Sequence, residues 1–186
     1  MAIVGIVALG LGLLFILLYN TIISKRNNVE QTLSSIDVYL KMRYDMIPNL
    51  IAMVKKFMTH ESQIFNRLAE LRAQAASGAA FGDNKIKINK EISQLLGSVL
   101  VQVENYPQLR SIEGFTHLQQ TLTETEAQIS AARRTYNAAV TEFNNSVDMF
   151  PTSILAKIMG LSRRALFEVT EVERKNVDVD GLFKAS

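Results

Sequence analysis

The chain has 186 residues, a formal net charge of +2 and no cysteine. It therefore forms neither a disulfide nor a thiolate metal site, and so small a charge gives no support for nucleic-acid binding. Tryptophan is absent, aromatic residues make up 8% of the chain and there are 3 prolines, a composition that favours long helices over many short strands. The length predicts one compact domain with an appendage.

The N-terminal segment is an apolar run that is long enough to cross a membrane. Residues 2–18 are apolar or glycine without interruption, and residues 19–23 extend the run. As a helix, 22 residues reach about 33 Å, against about 30 Å for the hydrocarbon core of a bilayer. No basic residue precedes the run and no A-x-A-like site follows it, so a retained anchor over residues 1–23 is favoured over a cleaved signal peptide.

The charges that flank this run predict its orientation. No charged side chain precedes the run. Four basic residues follow it closely, namely Lys25, Arg26, Lys41 and Arg43. By the positive-inside rule, the N-terminus lies outside and the bulk of the chain lies in the cytoplasm.

One face of the predicted span carries the small residues Gly5, Ala8 and Gly12. Small residues allow membrane helices to approach each other closely. The pattern predicts self-association in the membrane. The alternative is chance, because glycine and alanine are common in such helices.

A stripe of residues spaced alternately by four and three runs over residues 29–75. Of its 14 members 12 are apolar, which is typical of helices packed against other helices. The two exceptions are Arg43 and Glu61, and Pro48 interrupts the run. Because the proline ring clashes with the carbonyl of Tyr44 and lacks an N–H, the helix is predicted to bend or end near residue 48.

Four further helices are predicted from the period of the apolar residues and from breaks at glycine and proline, at about 49–76, 83–105, 111–149 and 152–159. A loop over 77–83 separates the first two, and Gly160 ends the last. A single long hairpin is the alternative to chain reversal at the prolines, but it would place Asn144 and Asp148 at membrane depth. We therefore favour a four-helix bundle over residues 24–160. A charged tail over residues 161–186 follows, which is loosely ordered or becomes ordered only on a partner.

Two stretches carry a resemblance to a known family. Residues 36–50 read I-D-V-Y-L-K-M-R-Y-D-M-I-P-N-L, and residues 104–168 include E-N-Y-P-Q-L, A-A-R-R-T-Y-N, F-N-N-S-V and F-P-T-S-I-L-A. In this order they resemble the LemA family of bacterial membrane proteins, with departures at Leu33, Tyr39 and Ala127-Gln128. The resemblance implies an all-α fold in the bacterial inner membrane: an N-terminal transmembrane helix, an antiparallel four-helix bundle and a short C-terminal helix.

Residues on or beside the packed helix faces form a predicted set of buried polar or structural residues: Arg43, Tyr44, Asp45, Pro48, Glu61, Glu126, Arg133 and Tyr136. A charge at such a position must be paired or hydrated. Glu61 faces Arg43 if the chain reverses at Pro48, with Glu126 and Arg133 as alternative partners. We interpret the set as an ion pair that fixes helix register, with a ligand site as the alternative, and Arg43 as a donor to the Tyr44 carbonyl.

The sequence offers no catalytic or cofactor site. A di-metal bundle requires Glu-x-x-His motifs, and neither His60 nor His117 has that spacing. Neither a Gly-rich phosphate loop after a strand nor a Ser-His-Asp arrangement is indicated. We therefore expect no enzyme activity, no metal and no cofactor.

A second apolar patch lies near the C-terminus, where Ile154, Leu155, Ile158 and Met159 accompany Lys157 and the pair Arg163-Arg164. The preferred interpretation is that it closes one end of the bundle. The alternative is that it lies on an anionic membrane surface.

Together these features predict a single-pass membrane scaffold that forms a homo-oligomer and contacts the lipid bilayer, with no nucleic-acid partner. The alternative is an adaptor that presents another envelope protein, such as a membrane metallopeptidase. Genes of LemA-like proteins often lie beside genes for such peptidases, so the resemblance implies this second function.

Overall fold

The computed structural model describes residues 1–77 and 83–167. Six helices lie in these ranges: α1 Ala2–Val54, α2 Ser62–Ala76, α3 Asp83–Val103, α4 Pro107–Arg110, α5 Glu113–Asp148 and α6 Thr152–Ile158. No strand occurs in the same ranges. The predicted all-α class with a long apolar N-terminal helix is therefore confirmed, while the four-helix bundle stays a prediction. Most of the predicted loop at 77–83 and of the tail at 161–186 lies outside the described residues.

The chain divides into two compact units. One unit comprises Met1–Val29 and Thr135–Ser186, and the other comprises Glu30–Arg134. Helices α1 and α5 contribute to both units. The division predicted from the sequence, at residues 23 and 160, rests on composition and stays a prediction.

In the Glu30–Arg134 unit, α1 continues through Pro48, and the chain turns over residues 55–61 instead. The helix was predicted to bend or end near Pro48, and an end there was wrong, because the carbonyl of Tyr44, which the proline leaves without its helical donor, receives another one. Arg72 of α2 donates its Nε–H to this carbonyl at 3.2 Å. The donor predicted from the sequence was Arg43, whose guanidinium points elsewhere.

Helix α3 of this unit lies beside α1 and runs parallel to it. Lys85 Nζ pairs with Asp37 Oδ1 at 2.6 Å, and Ser93, two turns further along α3, contacts Arg43, which is six residues further along α1. Helix α5 runs antiparallel to α1, as two contacts together show. Glu126 pairs with Arg43, and a Cβ at position 114, earlier in α5, would lie 3.6 Å from the side chain of Met53, later in α1.

A bidentate ion pair joins helices α2 and α3. Arg67 donates from Nε to Glu91 Oε1 at 2.6 Å and from Nη2 to Glu91 Oε2 at 3.0 Å, while Nη1 reaches Glu70 at 2.9 Å. Hydrogen bonding to Arg67 holds the pKa of Glu91 below its usual range, and the two glutamates raise the pKa of Arg67. Because these side chains are largely exposed to solvent, the pair orients α2 on α3 more than it stabilises the fold.

The core of this unit is formed by apolar residues of all four long segments: Ile36, Leu40, Ile47, Leu50, Val54, Phe65, Leu68, Leu71, Ile92, Leu96, Val99, Phe115, Leu118 and Leu122. Apart from Phe65, which follows the half-buried stripe residue Ile64, the members from α1 and α2 belong to the apolar stripe over residues 29–75. The period of four and three therefore predicts correctly which side of these helices is buried.

In the other unit, α1 is exposed along residues 2–17, and its burial begins after them. Leu18 is half-buried and Ile22 is fully buried. Lys25 Nζ and Glu142 Oε2 form an ion pair at 2.5 Å, which places these two residues side by side on α1 and α5.

Residues 161–167, at the start of the predicted loose tail, are held against α5 instead. Asn144 donates to the carbonyl of Arg164 at 2.9 Å and accepts from its N–H at 2.8 Å. Asn137, two turns earlier, donates to the carbonyl of Phe167 at 3.0 Å and accepts from its N–H at 2.8 Å. The expectation of a loose tail was wrong here, because each asparagine amide supplies the donor and the acceptor that one residue of extended main chain needs.

Candidate functional site

A buried arginine lies at the centre of the Glu30–Arg134 unit. Arg43 has no exposed side-chain surface, and its Nη1 donates to Ser93 Oγ at 2.8 Å and to Glu126 Oε1 at 2.6 Å. Its Nη2 donates to Asn89 Oδ1 at 2.5 Å. Arg43 and these three partners, together with Tyr44, form what we call the Arg43 cluster, which connects α1, α3 and α5.

The amide of Asn89 organises the cluster on the α3 side. Its Oδ1 accepts from Arg43 and from the Tyr44 hydroxyl, both at 2.5 Å, and its Nδ2 donates to the carbonyl of Lys85 at 2.8 Å. Ser93 donates its hydroxyl proton to the Asn89 carbonyl at 3.1 Å. Among the described residues Arg43 Nε has no hydrogen-bond partner, but both terminal nitrogens of the guanidinium are engaged.

The electrostatics of the cluster are those of a structural ion pair. Glu126, whose side chain is 36% exposed, lies at the solvent edge, whereas Arg43 is 0% exposed. The arginine therefore carries most of the desolvation penalty, and the carboxylate and the Asn89 amide offset it. The hydroxyl of Tyr44 donates to Asn89, and that of Ser93 lies within reach of the Asn89 carbonyl and, at 3.4 Å, of Glu126 Oε2. The cluster therefore links α1, α3 and α5 through hydrogen bonds, and its role in fixing helix register stays a prediction.

The amino-acid sequence matches a known protein family over most of its length. The sequence profile of the LemA family matches residues 32–180, a range that contains the whole Arg43 cluster. The chain belongs to the LemA family. The resemblance seen in the sequence motifs is thereby confirmed.

Relatives of this LemA-family chain come from several bacteria. It is 22% identical over 163 residues to Protein LemA of Metamycoplasma hominis, and the alignment covers 88% of this chain and 74% of that protein. It is 25% identical over 175 residues to Magnetosome protein MamQ 2 of Paramagnetospirillum magneticum and 22% identical over 174 residues to Magnetosome protein MamQ of Magnetospirillum gryphiswaldense. These two matches cover 81% and 80% of this chain but only 64% of each magnetosome protein.

The structure separates Glu61 from the Arg43 cluster. Glu61 is half-buried and accepts a hydrogen bond from the Tyr106 hydroxyl at 3.1 Å. Burial and the neighbouring Glu61 carboxylate raise the pKa of Tyr106. Arg43 pairs with Glu126, one of the alternative partners considered from the sequence. Glu61 lies near the turn after α1, because the chain turns beyond Pro48 and not at it.

Two members of the predicted buried set are exposed. Asp45 pairs with Lys41 at 2.6 Å on the solvent side of α1, and Pro48 also faces solvent. Burial was predicted for Asp45 and was wrong, because successive residues of a helix are about 100° apart, and the face that carries Arg43 and Ile47 turns away from it. Pro48 belongs to the set for its predicted structural effect on the helix. Of the remaining members, Arg133 is half-buried on α5 and Tyr136 is buried in the other unit.

The sequence analysis missed Asn89, Ser93 and Arg72. Asn89 and Ser93 are spaced by four, among Ile92 and Leu96, on the apolar face of α3, so the period could have marked them as buried polar residues. Arg72 had no such signal, because its contact with a main-chain carbonyl depends on how α2 folds back on α1. In the ranges that the structure describes, no three His, Asp or Glu side chains are grouped as a metal ion would require.

Proposed function

We propose that this LemA-family protein is a membrane-anchored helical scaffold that self-associates into a homo-oligomer. The observation that carries the proposal is the exposure of the N-terminal part of α1, whose most apolar stretch is not buried at all by the described residues. The stretch is long enough to span a bilayer, and an apolar surface of this size requires lipid or another protein to cover it.

The small-residue face supports contact between copies of the span. A Cβ atom added at Gly5 or Gly12 would meet no described atom within 4 Å, so this face is open to a neighbouring helix. In lipid, association of helices depends on close backbone approach, which small residues allow. We therefore place the self-association contact on Gly5, Ala8 and Gly12.

Particle mass in detergent tests the self-association. We expect the wild-type chain, of 20.8 kDa, to form a discrete oligomer and Gly12→Leu to shift it to smaller particles, because leucine keeps the helices apart. Gly10→Leu is the matched control, since Gly10 lies on the opposite side of the helix and is equally open. A monomeric wild type, or equal dispersal by both variants, would contradict the proposal. A monomer that retains another envelope protein would support the adaptor.

We further propose that the N-terminus lies outside the inner membrane and that the remainder lies in the cytoplasm. The support is the group of basic residues that follows the span, Lys25, Arg26, Lys41 and Arg43. The chain has no cysteine, so single cysteines report location cleanly. In intact cells, an impermeant maleimide should label Ala2→Cys and should leave Gln128→Cys, exposed on α5, unlabelled until lysis. Labelling of the second variant alone in intact cells would reverse the orientation.

A further inference from the structure

We propose that residues 149–158 form a second membrane-contact element, which lies in the headgroup region of the same bilayer that α1 spans. The inference rests on the membrane anchor proposed above and adds a lipid-binding surface to it. Its lipid class is anionic phospholipid.

The surface is apolar and exposed. Met149 is 61% exposed, Phe150 80%, Ile154 57% and Ile158 76%. On α6 the two isoleucines are four residues apart and share one side of the helix, whereas the side chain of Leu155 is buried. The sequence interpretation that the whole patch closes the end of a bundle was therefore wrong for Ile154 and Ile158, which face outward.

The position of this surface along α1 follows from helix geometry. Lys25 and Glu142 lie side by side, and α5 runs antiparallel to α1. Asp148 is six residues beyond Glu142, about 9 Å further along the helix, which brings it level with Tyr19. The burial of α1 agrees, since it begins at Leu18. Tyr19 is the aromatic residue at the end of the apolar run, where the interface of a membrane lies.

Both ends of α6 are held at this level. Met149 and Phe150 leave α5 directly after Asp148. On the far side of α6, Arg163 Nη1 pairs with Asp148 Oδ2 at 3.0 Å, and the main chain of Arg164 binds Asn144. Helix α6 has 7 residues, or about 10 Å, so it stays close to the end of α5 and to the level of Tyr19.

The charges around the patch match an anionic lipid surface. Within residues 143–167 the basic residues are Lys157, Arg163 and Arg164, and the one acidic residue is Asp148, which Arg163 already pairs. An apolar helix face with basic residues beside it is typical of elements that lie in the membrane interface. A protein partner would also cover these apolar residues. The patch, however, lies level with Tyr19 at the end of the span, where lipid headgroups lie, and this position favours lipid.

Fluorescence quenching of the full-length protein in vesicles of phosphatidylcholine and phosphatidylglycerol tests the inference. An environment-sensitive fluorophore is attached to Ile154→Cys, to Leu9→Cys in the span, or to Gln128→Cys on exposed α5. We expect the Ile154 and Leu9 probes to lose emission to a lipid-bound quencher and to resist iodide, and the Gln128 probe to do the reverse. The emission maximum of the Ile154 probe should also shift to longer wavelength when phosphatidylglycerol is omitted.

The control positions separate the two proposals. If the Leu9 probe is quenched by lipid while the Ile154 probe is quenched by iodide, the anchor stands and the second contact is overturned. If the Ile154 probe is protected from both quenchers, protein covers the patch and the lipid assignment is likewise overturned. Quenching of the Leu9 probe by iodide would instead overturn the anchor itself. Phe150→Cys, labelled in the same way, repeats the test should Ile154→Cys fail to fold.

Discussion

Glu126→Leu should lower the free energy of unfolding by about 3 kcal/mol, near the lower end of the range for breaking a buried ion pair. The variant leaves the guanidinium of Arg43, which is fully buried, without its counter-charge. Chemical denaturation in detergent, followed by circular dichroism at the helix band, measures the loss. Glu124→Leu is the matched control, because Glu124 lies on the same helix and is exposed, and it should change the stability little.

Removing both charges should be less damaging than the single changes suggest. In Arg43→Leu the carboxylate and the Asn89 amide lose their main donor, although Tyr44 still donates to Asn89, so this variant should also lose several kcal/mol. The double variant Arg43→Leu with Glu126→Leu leaves no unpaired charge, and its loss should fall short of the sum of the two by more than about 1 kcal/mol. Strictly additive losses would show that the two side chains do not interact.

Arg72→Leu should cost about 2 kcal/mol, because it leaves the Tyr44 carbonyl without a donor in a buried part of α1. The same change in a Pro48→Ala background should cost much less, since the alanine N–H restores the helical hydrogen bond to Tyr44. The measurement is a double-mutant cycle of unfolding free energies, with a coupling of about 1 kcal/mol or more expected.

Arg67→Leu is the control for this cycle. Arg67 lies on the same helix as Arg72 and loses an ion pair with Glu91, but it makes no recorded contact with Tyr44. The loss of unfolding free energy caused by Arg67→Leu should therefore be the same with proline or with alanine at position 48. Equal losses for Arg72→Leu in the two backgrounds would show that Arg72 does not replace the missing helical donor.

The sequence predicts the buried helix faces and the bounds of α5 and α6 well because their signals are local. The period of four and three gives the buried side of α1 and α2, Gly160 marks the end of α6 through its positive φ of 64°, and α5 begins and ends within two residues of its predicted bounds. A helical face is set by residues within a few turns of each other, so a single chain carries enough information to place it.

The partners of the polar residues were harder to predict, because they come from distant parts of the chain. Arg43 and Glu126 are 83 residues apart, and Arg72 reaches a carbonyl 28 residues away. The clash at Pro48 is visible in the sequence, but the compensating donor is not. Each of these contacts depends on where the chain turns, and an error of a few residues in that turn changes the partner.

Asn137 and Asn144 of α5 hold the segment over residues 161–167 through its main chain. Each amide binds a main-chain N–H and carbonyl, groups that almost every amino acid shares. These main-chain contacts exclude proline at positions 164 and 167, because proline has no N–H. The side chains add contacts of their own, since the Phe167 ring packs edge-on against Tyr136 and the Arg164 guanidinium lies over the Phe143 ring. The path of the segment is therefore fixed twice, by hydrogen bonds to its main chain and by ring contacts to its side chains.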